Sequence, residues 1–256
     1  PKQLIGAVME RETRAVNVDD DQEEVARSIA KYDIIAVPVI DANGRLVGIV
    51  THDDATDVLQ AEATEDFQKV GSVGSMADSI SSASIALLYK NRIFWLVLLV
   101  FGNLLSGAGL AYYEDTIAAY VVLVFFLPVL IGSGGNAGSQ SSTLMVRALA
   151  TGDVQMKDWG RMLFRELSVA TLLGITMAVA ISAIAGYRGG WEVAAVVAGS
   201  MLLIVLMGSL IGMSMPFLLS RFKLDPATAS APLIASIADI LGVVIYFSIA
   251  TAFLIG

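Results

Sequence analysis

One aspartate lies where charged side chains are rarely found. Asp239 is the only charged residue in the apolar stretch from Ala231 to Ile255. A carboxylate at membrane depth costs of order 3 kcal/mol to insert, so it usually faces the interior of a helix bundle or a water-filled path. Two interpretations remain open at this point: a protonated carboxyl bonded to a neighbouring helix, or a cation site.

A second unusual segment, GSGGNAGSQ, occupies Gly132–Gln140 inside another apolar stretch. Pro128 precedes it and removes a backbone donor, so we expect a weakened helix. Backbone carbonyls freed there, together with the amide oxygen of Asn136, are hard oxygen ligands of the kind that magnesium and calcium prefer. The alternative is a face of small residues that packs closely against another helix. A phosphate-binding loop does not fit, because no Gly-Lys-Ser/Thr sequence follows.

Acidic residues are concentrated in the first third of the chain. Residues 1–90 contain 8 Lys and Arg and 16 Asp and Glu, hence 8 − 16 = −8, whereas residues 91–256 contain 8 of each and are neutral. Close spacing of like charges on a helix, as between Asp54 and Asp66, is destabilising unless something neutralises them. Such a surface does not suit nucleic acid and favours cations. We therefore expect a polar module and a membrane module that meet near Asn91.

The polar module is predicted to be a small α/β unit. A helical pattern covers Glu23–Tyr32, and strands at Ile35–Ile40 and Leu46–Thr51 flank the Asp41–Gly44 turn, whose Asn-Gly pair is typical of a hairpin. A unit of about 60 residues buries little surface by itself, so we expect it to pair with another copy. From Asp54 to Asn91 the pattern predicts a continuous helix.

The remainder of the chain is predicted to span a membrane. The chain is 56% hydrophobic with a mean hydropathy of +0.72 and contains no cysteine, which excludes disulfides and thiolate chemistry. Basic residues precede the first apolar stretch and lie in alternate connections, so we expect a cytoplasmic N-terminal module and Gly256 outside. Five spans are expected, at Ile93–Tyr112, Ile117–Met145, Leu167–Tyr187, Val193–Leu219 and Ala231–Ile255.

The segment VPVIDANGRLVGIVTHDD, Val37–Asp54, resembles a CBS domain, and the resemblance covers about residues 5–60. CBS units work in pairs and often bind adenine nucleotides or metal ions, so the resemblance implies ATP contacts around Val50–Asp54. The chain begins at Pro1 with one such unit, and we expect it to be the second of a pair from a longer, N-terminally truncated protein.

Two further segments, PVLIGSGGNAGSQSSTL and LDPATASAPLIASIADILG, resemble the paired signature of the MgtE family of magnesium channels. The resemblance implies a homodimer in the cell membrane, in contact with lipid, whose second and fifth spans line one pore. A hydrated Mg²⁺ would lie between the two copies of Asp239, and Gly135, Asn136 and Ala235 would line the route.

The resemblance also implies that cytoplasmic Mg²⁺ closes the pore by bridging acidic residues. It divides the chain into a CBS unit at residues 1–58, a connecting helix at 59–91 and a five-helix pore domain at 92–256. Ser139 departs from the family pattern, in which Asn is expected. The implied regulatory ligands are Glu23, Asp33, Asp54, Asp57, Glu62, Glu65, Asp66 and Asp225.

We therefore expect a magnesium-selective, gated channel and not an enzyme. A proton-coupled or broader transporter of divalent cations such as Mn²⁺ and Co²⁺ is the first alternative, although five spans do not divide into two equal repeats. An intramembrane aspartyl protease is the second, but it needs two neighbouring carboxylates and each chain offers only Asp239. The sequence does not decide the preference among Mg²⁺, Mn²⁺, Co²⁺ and Ca²⁺, or the effect of Ser139 on selectivity.

Overall fold

The computed structural model describes Ala7, residues 14–74 and residues 81–256. The chain divides into two compact units, Pro1–Asp66 and Phe67–Gly256. The helix that contains Asp66 and Phe67 is continuous across this division.

The N-terminal unit is a small sheet with helices before and after its hairpin. Strand β2 pairs in parallel with β1 and antiparallel with β3, so the sheet order is β1-β2-β3. Val25, Ala26 and Ile29 of the first helix form the buried core with Val37 and Ala55. The elements are β1 (Val16–Asn17), α1 (Gln22–Lys31), β2 (Ala36–Ile40), β3 (Leu46–Thr51) and α2 (His52–Val70).

Local hydrogen bonds explain why these elements begin and turn where they do. Asp21 caps α1, since its side chain accepts a hydrogen bond from the backbone N–H of Glu23 at 2.8 Å. In the hairpin, the Asp41 carboxylate accepts the N–H groups of Arg45 and Asn43, each at 2.8 Å, and these bonds hold the pKa of Asp41 below its usual range. The predicted first helix and the predicted hairpin are confirmed.

The predicted continuous helix from Asp54 to Asn91 is wrong. Helix α2 ends at Val70, and Ser72 then takes a positive φ of 56°, which turns the chain. A new helix begins at Ile85, where the Ser84 side chain accepts the N–H of Leu87 as its cap. Residues 75–80 of the predicted connecting helix lie outside the described residues.

The C-terminal unit is a bundle of long apolar helices. Among the described residues, four helices are long and apolar enough to cross a membrane, so the chain is a multi-pass membrane protein. These four are α3, α5, α6 and α7, and the short α4 lies between the first two. The bounds are α3 (Ile85–Tyr112), α4 (Glu114–Ala119), α5 (Val122–Ala150), α6 (Trp159–Arg221) and α7 (Ala231–Leu254).

Helix α6 is folded back on itself. A straight helix of 63 residues would be about 95 Å long, three times the thickness of the hydrocarbon layer. Gly190 breaks it with φ 80° and ψ −178°, a conformation that only glycine adopts easily. Beyond the break the chain reverses, and Leu202 packs against Gly174. A Cβ placed on Gly174 would lie 2.7 Å from the Leu202 side chain. We call residues 159–189 the first arm and residues 191–221 the second arm; the number of spans stays a prediction.

The core of the membrane unit lies between the second arm, α5 and α7. Tyr246 is completely buried there, and its hydroxyl donates to the Leu123 carbonyl at 3.0 Å. Helix α3 has no buried residue and rests on α7, with Gly102 and Gly109 at the contact. The second arm therefore forms the centre of the bundle. Its fully buried members include Val196, Val197, Met201, Ile204 and Val205.

Candidate cation site in the membrane unit

The glycine segment of α5 is helical throughout. The predicted unwinding after Pro128 is wrong, because α5 continues without interruption from Val122 to Ala150. The Ser133 hydroxyl donates to the Val129 carbonyl at 2.6 Å, one helical turn back. The carbonyls of Gly132–Gln140 therefore belong to a regular helix and are not freed as ligands.

One face of this segment packs against the second arm of α6. A Cβ on Gly134 would lie 2.5 Å from the Ile204 side chain, and one on Gly138 would lie 2.6 Å from the Gly208 carbonyl oxygen. From the other side, a Cβ on Gly208 or Gly212 would collide with the carbonyls of Gly134 and Gly138 respectively. The small-residue packing face that the sequence left open as an alternative is present here.

The adjoining face of the same segment meets α7 at Asp239. A Cβ on Gly135 would lie 3.3 Å from the Ala235 Cβ and 3.9 Å from the Asp239 Oδ1. Gly135, Ala235 and Asp239 therefore come together, and their role in binding a cation stays a prediction. The Asp239 side chain remains half-buried in the single chain, so its carboxylate is accessible from one side.

Asn136 lies on the exposed side of α5, one residue beyond the contact with Asp239. Its amide has no hydrogen-bond partner among the described residues, and Gln140 and Thr143 follow it at helical spacing and are also exposed. We call Asn136, Gln140 and Thr143 the polar stripe. A carboxylate next to a polar stripe is suited to hold a hydrated cation through oxygen ligands.

Hydrogen bonds from α5 fix the beginning of α7. The Ser139 hydroxyl donates to the Ala231 carbonyl at 3.1 Å, and the buried Ser142 hydroxyl donates to the Ala229 carbonyl at 2.8 Å. Ser139 therefore has a structural contact in this chain and is not aimed into open space. These two bonds hold the start of α7, and so the register of Asp239, against α5.

The end of α2 is attached to the connection between α6 and α7. The Lys69 Nζ lies 2.5 Å from the Asp225 Oδ2, and the Ser72 and Ser230 hydroxyls are hydrogen-bonded at 2.6 Å. Val70 packs against the buried cluster of Val146, Ala227 and Ala229. Sequence reasoning identified Asp225 but missed Lys69, because no local pattern relates two residues that are 156 positions apart.

The acidic residues predicted to bind regulatory Mg²⁺ are paired with other side chains, half-buried or exposed. Glu23 pairs with Arg27, Glu62 accepts the Gln22 amide at 3.0 Å, and Asp54 accepts the Thr51 hydroxyl at 2.5 Å. In the described part of the chain, no three His, Asp or Glu side chains form a group that could hold a metal ion. The regulatory sites and the ATP contact at Val50–Asp54 therefore stay predictions. The other predicted ligands are Asp33 and Asp57, which are exposed, and Glu65, Asp66 and Asp225, which are half-buried.

Comparison with known proteins covers both units. Residues 127–249 match the MgtE family model, described as a divalent cation transporter, and residues 5–61 match the CBS domain model. The first match includes both Gly135 and Asp239. Both resemblances predicted from the sequence are confirmed.

Three curated relatives are each named magnesium transporter MgtE. The protein from Thermus thermophilus is 42% identical over 250 residues, which are 98% of this chain and 56% of the relative. The one from Bacillus subtilis is 40% identical over 245 residues (94% and 54%), and the one from Enterococcus faecalis is 33% identical over 252 residues (98% and 55%). The chain spans about half the length of these relatives.

Proposed function

We propose a transport function from the premise that this chain belongs to the MgtE family of divalent cation transporters. Its membrane unit conducts magnesium through a pore lined by α5 and α7, and it carries out no chemical reaction on its cargo. The observation that carries the proposal is the contact of Asp239 with Gly135 at the edge of the polar stripe. This contact puts a carboxylate oxygen beside a helix face that is polar and open in an otherwise apolar unit.

The pore lies on the axis of a homodimer. The polar stripe and the half-buried Asp239 are costly to expose to lipid tails, and covering them with a second copy removes that cost. A two-fold axis brings the same surface of each chain together, so it places two Asp239 carboxylates around one path. A single chain offers only one such carboxylate in its membrane spans, which makes the site incomplete without the partner.

The two arms of α6 each cross the membrane, so the chain crosses it five times. The reversal at Gly190 and the contact of Gly174 with Leu202 support two crossings within this helix. Basic residues lie in and beside the connection between α5 and α6 and at the end of the second arm, which places these connections in the cytoplasm; they are Arg147, Lys157, Arg161, Arg165, Arg221 and Lys223. The N-terminal unit is then cytoplasmic and Gly256 lies outside.

Magnesium is the cargo because the site suits a hydrated divalent ion. Mg²⁺ gives up its water reluctantly, and it is usually bound through one or two carboxylates with several waters retained. Two symmetry-related carboxylates, with the Asn136 amides close by on the stripe, provide this type of ligand set. Monovalent ions interact too weakly with two partly buried carboxylates to offset their desolvation.

Cytoplasmic magnesium regulates the pore through the end of α2. The Lys69–Asp225 ion pair and the Ser72–Ser230 hydrogen bond join α2 to the segment that precedes α7. Ser142 and Ser139 in turn bind the carbonyls at the start of α7. Asp239 lies eight residues beyond Ala231, about 12 Å along the helix. Mg²⁺ bound to the acidic residues of the N-terminal unit and α2 would favour one position of α2, and these contacts would transmit that preference to α7.

The central test is magnesium uptake by the full chain in proteoliposomes that contain a magnesium-sensitive dye. We expect Asp239→Asn to reduce the initial rate at least tenfold, because the variant keeps the shape of the side chain and loses the charge. Glu192→Gln is the matched control, since it removes one carboxylate from an exposed residue beside Gly190. Size-exclusion profiles of all three proteins establish that they remain folded.

Three results would contradict the proposal. If Asp239→Asn takes up magnesium at the wild-type rate, the Asp239 carboxylate does not line the pore. Uptake that requires a proton gradient would indicate a secondary transporter. Equal uptake of Mn²⁺ or Co²⁺ in competition with Mg²⁺ would indicate a broader divalent transporter.

A further inference from the structure

A groove lies at the end of α6 where its first arm begins and its second arm ends. Its volume is about 500 Å³. The wall from the second arm includes Ile211, Ser214, Met215, Leu218 and Arg221, and Trp159 closes the other side from the first arm. The groove is separate from the contact between Gly135 and Asp239, and neither the family match nor the transport function explains it.

The shape of the groove follows one face of the second arm. Ile211, Met215 and Leu218 are spaced at four and three residues, so they line up along the helix, with Arg221 at the end of the same row. The eleven residues from Ile211 to Arg221 rise about 15 Å, which is half of the roughly 30 Å hydrocarbon layer. The groove therefore has the length of one leaflet, with its only charged residue at one end.

The wall of the groove is apolar but open. Leu218 is 49% exposed and Trp159 is 43% exposed in the single chain. Ile211 and Met215 are half-buried, and a row of partly exposed apolar side chains in a membrane-spanning helix is a surface for an acyl chain. The indole of Trp159 is typical of the boundary between hydrocarbon and headgroups, where one part of the ring is apolar and its N–H finds a polar partner. Trp159 therefore marks the level at which a headgroup would lie.

Arg221 supplies a positive charge at that level. No carboxylate pairs with it among the residues that the structure describes, and it is exposed. Segments 155–166 and 221–225 together contain five Lys and Arg and three Asp and Glu, hence 5 − 3 = +2, so the potential at this end of the helix attracts anions. An arginine guanidinium can bind a phosphate with two parallel hydrogen bonds.

We propose that this groove binds an anionic phospholipid, with one acyl chain along Ile211–Leu218 and the phosphate on Arg221. The proposal depends on the chain spanning a membrane and does not depend on its cargo. The length of the groove, the open apolar wall and a guanidinium at headgroup level that has no carboxylate partner among the described residues all favour a lipid over a protein segment.

The first test measures lipid selectivity of the full chain. The protein is reconstituted into nanodiscs of phosphatidylcholine with one quarter phosphatidylglycerol, and the lipids retained after release are counted by native mass spectrometry. We expect phosphatidylglycerol to be retained over phosphatidylcholine, and Arg221→Gln to reduce that preference about tenfold because it removes one charge-assisted pair. The matched control is Lys223→Gln, two residues beyond and outside the groove, which we expect to change retention less than twofold. Equal retention of both lipids by the wild type, or equal effects of the two variants, would overturn the proposal.

The second test asks what occupies the apolar part of the groove. Leu218→Trp fills it and should lower phosphatidylglycerol retention although Arg221 is intact. Because the chain has no cysteine, Leu218→Cys can carry a single benzophenone label in native membranes. We expect photo-crosslinking to lipid; a product of twice the chain mass would show that a second copy covers the groove, which would overturn the proposal.

Discussion

Three glycines of α5 offer an unusually direct test of the site geometry. Gly132, Gly135 and Gly138 follow each other at intervals of three residues in one helix, and replacement by alanine adds the same methyl group at each. Only the surroundings differ. The new Cβ would meet nothing within 4 Å at Gly132, α7 at Gly135, and both α6 and α7 at Gly138.

The expected free energies follow from these distances. Alanine is favoured over glycine inside a helix by about 0.5–1 kcal/mol, so Gly132→Ala should stabilise the fold of the single chain by up to that amount. At Gly138, a Cβ 2.6 Å from a backbone oxygen and 2.8 Å from Ile234 Cγ2 forces the helices apart. Overpacking typically costs about 1–3 kcal/mol, so a net loss of about 1–2 kcal/mol is expected. At Gly135 the closest approach is 3.3 Å, so a shift of a few tenths of an ångström in α7 suffices and the two effects nearly cancel.

The assay combines unfolding in mixed SDS micelles with magnesium uptake in proteoliposomes. We expect Gly132→Ala to be the most stable, wild type and Gly135→Ala to be equally stable, and Gly138→Ala to be the least stable. We also expect slower uptake by Gly135→Ala, because the displaced part of α7 carries Asp239. Equal changes in stability for all three variants would refute the helix packing. Wild-type uptake by Gly135→Ala, with its stability unchanged, would refute the link between this contact and the pore.

Three further predictions concern the turn, the ion pair and the hairpin. Gly190→Ala should destabilise the chain by about 1–3 kcal/mol in the same unfolding assay, because the φ of 80° at this position is strained for alanine. Gly199→Ala is the control and should not destabilise the chain, since a Cβ on Gly199 meets open space. Equal effects of the two variants would contradict the break in α6. Lys69→Gln should raise the rate of amide hydrogen exchange at Ser72 by up to about fivefold. The effect is modest because the side chains of Lys69 and Asp225 are 26% and 36% exposed. A similar rise in Lys223→Gln would argue against the ion pair. The lowered pKa of Asp41 contributes stability above the ordinary pKa of about 4, and this contribution is lost as pH falls through the folded-state pKa. Amide exchange at the hairpin, corrected for intrinsic rates, should therefore rise on acidification, and Asp41→Asn should abolish most of that pH dependence.

Local patterns in the sequence predicted several elements correctly. The hairpin was predicted from Asn43-Gly44 between two apolar runs, because the turn of a β-hairpin depends on the φ values that its own residues tolerate. The membrane character of the second unit followed from its long apolar stretches. Asp239 could be singled out for the same reason, since a lone charge is visible against apolar neighbours in the chain itself.

The unwinding of α5 and the continuous helix after Asp54 were predicted wrongly for one shared reason. In both cases local propensity was taken as decisive. Pro128 and four glycines weaken a helix in water, yet the segment stays helical where Gly134 and Gly138 pack against the second arm. At the end of α2, the chain turns at Ser72, whose hydroxyl is bonded to Ser230. Tertiary contacts outweighed the local preference each time.

By itself, the sequence determined which stretches are apolar, which carboxylate lies among them and where the hairpin turns, because each of these depends on residues close together along the chain. Only the tertiary structure decided that Gly135 faces Asp239 while Gly134 and Gly138 face α6. It alone paired Lys69 with Asp225, 156 residues away. The physical reason is that adjacent residues on a helix point in directions about 100° apart, so the partner of each one depends on which helices surround it.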